Sequence, residues 1–244
     1  MRKSRFFINQ TLESGTEISL EDADAHHGLH VLRLRSGDRV VLFNGRGGQF
    51  SGEILNTSKD RMIVAIGEYQ PVDRESGLKV ELAQSVSRGE RMDYTIQKAV
   101  ELGASKIIPL LTERTTVKLD KQRAEKRYAH WHNIITSACE QCGRNTIPGL
   151  TSVQPLNGWL ADQHNSPNTR LVLRGNAQTN LTNIAIHEAV TLLIGPEGGL
   201  SPDELHAAET AGFISVRLGE RILRTETAAL ATLSALQTLH GDFR

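Results

Sequence analysis

The sequence predicts an α/β protein in which a parallel sheet with helices on its faces follows a smaller, mostly β domain. Three observations carry that reading. From Lys79 onward, apolar strand-like runs alternate with helical periodicity, the pattern of a parallel sheet wound with helices. Before about residue 72, short apolar-bearing strands are divided by glycine-rich and polar turns. Near the C-terminal end, an apolar run passes through a glycine turn into a helix, and does so twice.

The first domain, residues 1–72, opens with basic residues and then a helix over residues 22–34, with Ala23, His27, His30, Val31 and Leu34 at helical spacing on one face. Strands follow over residues 39–43, 49–56 and 62–69, separated by Asn44-Gly45-Arg46-Gly47-Gly48 and by a polar turn at residues 57–60. The stretch 73–77 is polar and follows Pro71, as suits a linker, and the second domain spans residues 78–244. Val80, Leu82 and Val86 begin its first strand, and Met92, Ile96, Ala99 and Val100 mark a helix that ends near Gly103. A strand over 107–111 leads to a long helix whose buried stripe is Tyr128, Trp131, Ile134, Ile135, Ala138 and Cys139. Residues 145–169 read as connection with one short helix near Leu156, and 170–173 as another strand.

The run Val190-Thr191-Leu192-Leu193-Ile194 then reads as a fully buried strand passing into Gly195-Pro196-Glu197-Gly198-Gly199. Ser201-Pro202-Asp203-Glu204 starts a helix, with Ser201 and Glu204 as a capping box and Pro202 in the first turn. A last strand over 214–218 runs through Gly219 into a closing helix that carries Ala229, Leu230, Leu233 and Leu236.

With 28 basic and 28 acidic residues the chain has no net charge, which excludes a protein that grips nucleic acid over its whole surface. Any such binding must come from local patches: Arg2, Lys3 and Arg5, or Arg33, Arg35, Arg39 and Arg46. No apolar run approaches the ~18 residues of a membrane span, no signal-peptide core is present, and the expected location is cytoplasmic. Cys139 and Cys142, late in a helix and without a second ligand pair, read as buried helix residues rather than a zinc or redox site. His26 and His30 could meet on a helix, but nothing evident completes a metal shell, so no metal is expected.

Two glycine-bearing strand ends side by side form the ligand crevice of an open parallel sheet. A triphosphate does not fit, because the first turn has no P-loop lysine and carries Glu197. A dinucleotide does not fit either, since G-x-G-x-x-G is absent from both turns. A neutral nucleoside or a cationic ligand remains.

The string Ile194-Gly195-Pro196-Glu197-Gly198-Gly199, followed by Leu218-Gly219 and Leu223-Arg224-Thr225-Glu226-Thr227-Ala228, resembles the paired motifs of the SPOUT superfamily of RNA methyltransferases. Within that superfamily it is most similar to the bacterial enzymes that methylate N3 of a uridine in 16S ribosomal RNA. The resemblance covers nearly the whole chain, with His30-Val31-Leu32-Arg33 and Leu42-Phe43-Asn44-Gly45 fitting a PUA-like β-barrel that engages RNA. It implies a trefoil-knotted SPOUT domain that clasps S-adenosylmethionine, and a homodimer acting on 16S ribosomal RNA or the small ribosomal subunit. By the same resemblance the cofactor site comprises Leu173, Ile194, Gly195, Pro196, Glu197, Gly198, Gly199, Leu218, Gly219, Ile222, Leu223, Thr225 and Ala228. Arg88 and Arg144 join Arg2, Arg5, Arg33, Arg35 and Arg46 as expected RNA contacts.

Methyl transfer by in-line displacement needs alignment of donor and acceptor and no metal. An imide nitrogen such as uridine N3 must also lose its proton, which a carboxylate could take or an arginine could favour by stabilising negative charge on the neighbouring carbonyls. Arg224 and Glu226, ionisable groups beside the second glycine turn, are the candidate catalytic residues. Two rival readings are a ribose 2′-O-methyltransferase of the same superfamily and an RNA-binding protein without catalysis.

Overall fold

The computed structural model describes residues 3–117, 120–164, 166–186 and 189–243, so Arg2 lies outside the described residues. The chain divides into two compact units. One ends at Glu75 and also includes Cys139–Ile147, a stretch the sequence assigns to the second domain; the other comprises Ser76–Ala138 and the residues from Pro148 onward.

The first unit is a five-stranded sheet built from β1 (Ser4–Phe7), β2 (Glu17–Glu21), β3 (Arg39–Phe43), β4 (Gln49–Ser58) and β5 (Arg61–Gln70), in the order β1-β3-β4-β5-β2. Only β1·β3 is parallel. Two register shifts between β4 and β5 bend the sheet, as bulges do. Alternation sends Phe6, Leu42, Ile54, Met62 and Val64 into one core, all nearly fully buried.

The expected helix over residues 22–34 is shorter and irregular: α1 (Asp22–His26) widens into a single π-helical turn, His27–Val31. Gly28 accounts for the close approach there, because a Cβ at that position would collide with the terminal methyl of Met62. The segment ends with Arg33 at φ 55, outside the helical region.

Arg5 and Arg144, expected at an RNA surface, are instead buried in this unit. Arg5 donates to Gln49, to the Arg144 carbonyl and to Asn145, and lies over the Phe43 ring. Arg144 is gripped by the Glu75 carboxylate. Beside them Phe7 donates its backbone N–H to the Glu140 carboxylate at 2.9 Å. Burial is the main reason that this acid is pushed up to about 7, against an ordinary carboxylate value of 4.5.

The second unit is an all-parallel sheet of β6 (Lys79–Ser85), β7 (Ala104–Leu111), β8 (Gly149–Leu150), β9 (Gln154–Pro155), β10 (Thr169–Leu173), β11 (Thr179–Asn180), β12 (Ala189–Ile194) and β13 (Ile214–Arg217). Its order is β11-β13-β10-β12-β6-β7-β8, with β9 also on β7. The helices are α2 (Glu90–Glu101), α3 (Lys121–Cys142, whose residues from Cys139 on belong to the first unit), α4 (Leu156–Ala161), α5 (Pro202–Thr210) and α6 (Thr225–His240). The central strands β6 and β12 are buried along most of their length because both faces are covered. Leu193, Val172, Ile108, Trp159 and Phe213 form a core cluster with Ala208 of α5. Along α3 Trp131, Ile135, Ala138 and Cys139 of the predicted stripe are buried and Ile134 is half-buried, whereas Tyr128 is exposed. No helix among the described residues is long and apolar enough to cross a membrane.

Candidate functional site

The C-terminal ends of three neighbouring strands make the site. β10 lies between β12 and β13, with Val172 opposite Leu193 and Leu173 opposite Val216, so the loops that leave all three open at one edge of the sheet. Together they line a cleft of about 980 Å³. Leu173, Ile194, Gly195, Pro196, Glu197, Gly198, Gly199, Leu218, Gly219, Ile222, Leu223, Thr225 and Ala228 all line it, as does Arg224.

The first loop is folded tightly by its own residues. A Cβ on Gly195 would stand 3.1 Å from the Leu200 backbone nitrogen, so a side chain there would push the returning chain away by a few tenths of an ångström. The Gly199 amide donates to the Pro196 carbonyl at 2.8 Å, and Gly199 takes φ +69. The turn then ends in the predicted capping box, in which Ser201 accepts from the Glu204 amide and Glu204 accepts from the Ser201 amide. The other oxygen of Glu204 accepts from the Glu113 amide at 2.7 Å, which ties the loop after β7 to the start of α5.

Two arginines that the expected site omitted hold the first loop from outside. Arg91 pairs with the Glu197 carboxylate at 3.0 Å, and Arg114 donates to the Gly198 carbonyl at 2.8 Å. The acidity that argued against a phosphate ligand is therefore partly offset in place.

The second loop is joined to the first through Thr225. Its hydroxyl donates to the Gly195 carbonyl at 2.7 Å and accepts from the fully buried Gln84 at 2.9 Å. Its role is thus to bridge loops, and no side-chain bond caps the start of α6. Gly219 sits at φ +76 with open space where a Cβ would be, and Ile222 is 98% exposed, an apolar group on offer to a ligand.

The two candidate catalytic residues part company. Arg224 is exposed at the cleft, whereas Glu226, in the first turn of α6, is absent from its lining and keeps one carboxylate oxygen buried without a hydrogen-bond partner among the described residues. Of the arginines read as RNA contacts, Arg33, Arg35 and Arg46 are exposed on the first unit and Arg88 is exposed on the second.

The buried cysteine is not a reactive thiolate. Cys139 is fully buried, and that burial pushes its thiol up to about 12. His26 and His30 stand with ring centres 4.8 Å apart, and among the described residues no group of three or more His, Cys, Asp or Glu could hold a metal ion.

Comparison with known proteins agrees with this geometry. The profile of an RNA methyltransferase domain matches residues 74–237, and that of an RNA methyltransferase PUA domain matches residues 20–67. The chain is 36% identical over 242 residues to the ribosomal RNA small subunit methyltransferase E of Buchnera aphidicola subsp. Schizaphis graminum (strain Sg), covering 99% of this chain and 98% of that protein. A ribosomal RNA small subunit methyltransferase E from Neisseria gonorrhoeae, solved bound to S-adenosyl methionine, superimposes with a TM-score of 0.93 at 41% identity, with all of both chains covered. A methyltransferase from Legionella pneumophila, solved with bound SAM, gives a TM-score of 0.95 at 38% identity, again over the whole of both chains.

Proposed function

This chain belongs to the ribosomal RNA small subunit methyltransferase E family, and on that premise we propose that it transfers a methyl group from S-adenosylmethionine to N3 of a uridine in 16S ribosomal RNA. The observation that carries the proposal is the single cleft into which both glycine turns open. Its residues fit the cofactor. The bare backbone at Gly199 and Gly219 leaves space for close approach, and Leu173, Leu218, Ile222 and Leu223 offer apolar contact to an adenosine.

S-adenosylmethionine supplies an activated methyl whose carbon–sulfur bond breaks with the electron pair retained on sulfur. The chain's own part is alignment and charge. The N3 lone pair forms the new bond, the N3 proton leaves, and the positive Arg224 at the cleft stabilises the negative charge that deprotonation spreads over the uracil carbonyls. Glu226, two residues further along and with one oxygen unpaired among the described residues, is the carboxylate that would take the proton if the loop shifts on binding. The exposed Arg33, Arg35 and Arg46 of the barrel grip phosphates and deliver the strand, which must present an unstacked base because pairing uses the N3 edge. The loops of the sheet domain thread as the superfamily's trefoil knot, and the enzyme works in the cytoplasm as a homodimer, with the half-exposed Leu239 and Phe243 at the C-terminal end available for the contact.

The test is incubation with labelled S-adenosylmethionine and small ribosomal subunits from a strain lacking the activity, followed by nucleoside mass analysis. N3-methyluridine is the expected product; a 2′-O-methyl nucleoside, or cofactor binding without product, overturns the proposal. Sedimentation at micromolar concentration reads the dimer.

A further inference from the structure

A second cavity, of about 690 Å³, opens beside the cleft. Arg88, Gly89, Glu90 and Thr116 belong to it alone. Arg91, Arg114, Glu197 and Gly198 line both spaces and so form a shared wall. The Arg91 contact to the Glu197 carboxylate and the Arg114 contact to the Gly198 carbonyl lie along that wall.

Transfer between two bound molecules needs two seats that open onto one boundary, because the acceptor must approach the methyl carbon from the side away from sulfur. The first cavity has the apolar walls and bare glycine backbone that suit a nucleoside-like donor. The second is of a size for another small-molecule group and, unlike the first, has no apolar side chain in its lining. Three guanidinium groups face two carboxylates there, leaving a positive balance. Arg91 and Arg114 each have a partner, whereas Arg88 is exposed and makes neither a hydrogen bond nor an ion pair among the described residues. Beside it Gly89 holds φ 59, and a Cβ placed there would meet nothing within 4 Å, so bare backbone faces the space. Among the described residues no side-chain bond from the N-cap position, Gly89, closes the start of α2. An uncommitted arginine, the amides at the start of α2 and the Thr116 hydroxyl together make a receptor for an anion that also accepts hydrogen bonds.

We propose that this second cavity seats the phosphate of the acceptor nucleotide, held by Arg88, while the base reaches over the shared wall towards Arg224 in the first cleft. The inference rests on the methyltransferase reading and adds where the acceptor lies. It also separates the duties of the arginines: Arg33, Arg35 and Arg46 grip the strand as a whole, whereas Arg88 fixes the one nucleotide that reacts.

The experiment compares the full-length parent with Arg88→Ala and Arg88→Lys. Binding of a labelled single-stranded fragment of small-subunit ribosomal RNA is followed by anisotropy over a range of salt, together with steady-state methylation of small subunits and calorimetry with S-adenosylmethionine. Arg88→Ala is expected to raise KM for RNA about 5- to 10-fold, to leave kcat within about twofold and cofactor affinity unchanged, and to reduce the slope of log affinity against log salt by about 0.7, the share of one phosphate on a single strand. Arg88→Lys keeps the slope, because the charge is retained. Parental KM and slope in Arg88→Ala overturn the proposal, as does weakened cofactor binding with RNA binding intact. A parent that binds RNA yet yields no methylated nucleoside would instead defeat the methyltransferase reading, while the salt slopes would still decide the place of Arg88.

Discussion

The Thr225 hydroxyl donates to the Gly195 carbonyl across 2.7 Å and thereby fastens the end of β12 to the start of α6. Because a carbonyl only accepts, the hydroxyl proton is committed to Gly195, and its lone pair must take the Gln84 amide. The two loops of the cleft therefore share one buried atom as their hinge pin.

Replacing Thr225 by Val keeps the shape and removes that atom. The Gly195 carbonyl loses this donor and the buried Gln84 amide keeps only the Ser85 carbonyl, at a cost of about 1–3 kcal/mol. Affinity for S-adenosylmethionine is expected to fall about 10-fold by calorimetry, with Thr225→Ser close to the parent.

Gly219 holds φ +76 where a Cβ would meet nothing, so Gly219→Ala is a test of backbone strain without a clash. The left-handed conformation costs a non-glycine residue roughly 1–2 kcal/mol. The expected result is cofactor affinity weakened about 5- to 20-fold, with a Tm within a few degrees of the parent.

Glu75 and Arg144 form a largely buried pair, with side chains 26% and 6% exposed. Glu75→Gln removes the negative charge facing the buried Arg144 guanidinium, and disrupting such a pair costs up to about 3 kcal/mol. The Tm is expected to fall by several degrees, and denaturant titration gives the free energy.

Glu140 is pushed up to about 7, so between about 4.5 and 7 the folded state binds the proton more readily than the unfolded chain. The stability this group contributes is complete below 4.5 and is lost as pH rises through 7. Glu140→Gln, which can still accept from the Phe7 amide, is expected to exceed the parent at pH 8 by on the order of 1–2 kcal/mol and to match it near pH 4.5. A Tm series against pH reads both ends.

Features set by neighbouring residues are legible in the sequence, and features set by distant ones are not. The capping box at Ser201 and Glu204 and the two glycine turns need only a few consecutive residues, and they stand where the pattern puts them. Arg91 and Arg114 reach the first loop from 106 and 84 residues away, a distance no periodicity carries. β1 and β2 escape pattern reading because each is a short run, and Arg5 in β1 looks like a surface charge until Gln49, Arg144 and Asn145 close around it. The helix over residues 22–34 satisfies a spacing rule, but contact between Gly28 and Met62 decides its backbone instead. Glu226 is adjacent in sequence to residues of the cleft and still misses its lining, since successive helix positions point about 100° apart.

The sheet order also sets when the protein can fold during synthesis. On one side β6 meets β7, which follows it closely; on the other its partner is β12, with Glu81 beside Thr191, 110 residues later. A nascent chain that has emerged only through β7 therefore carries an apolar strand with one bare edge. Ribosome-bound chains stalled before Ile194 should recruit chaperones or aggregate, and those stalled just beyond the end of α6 should not.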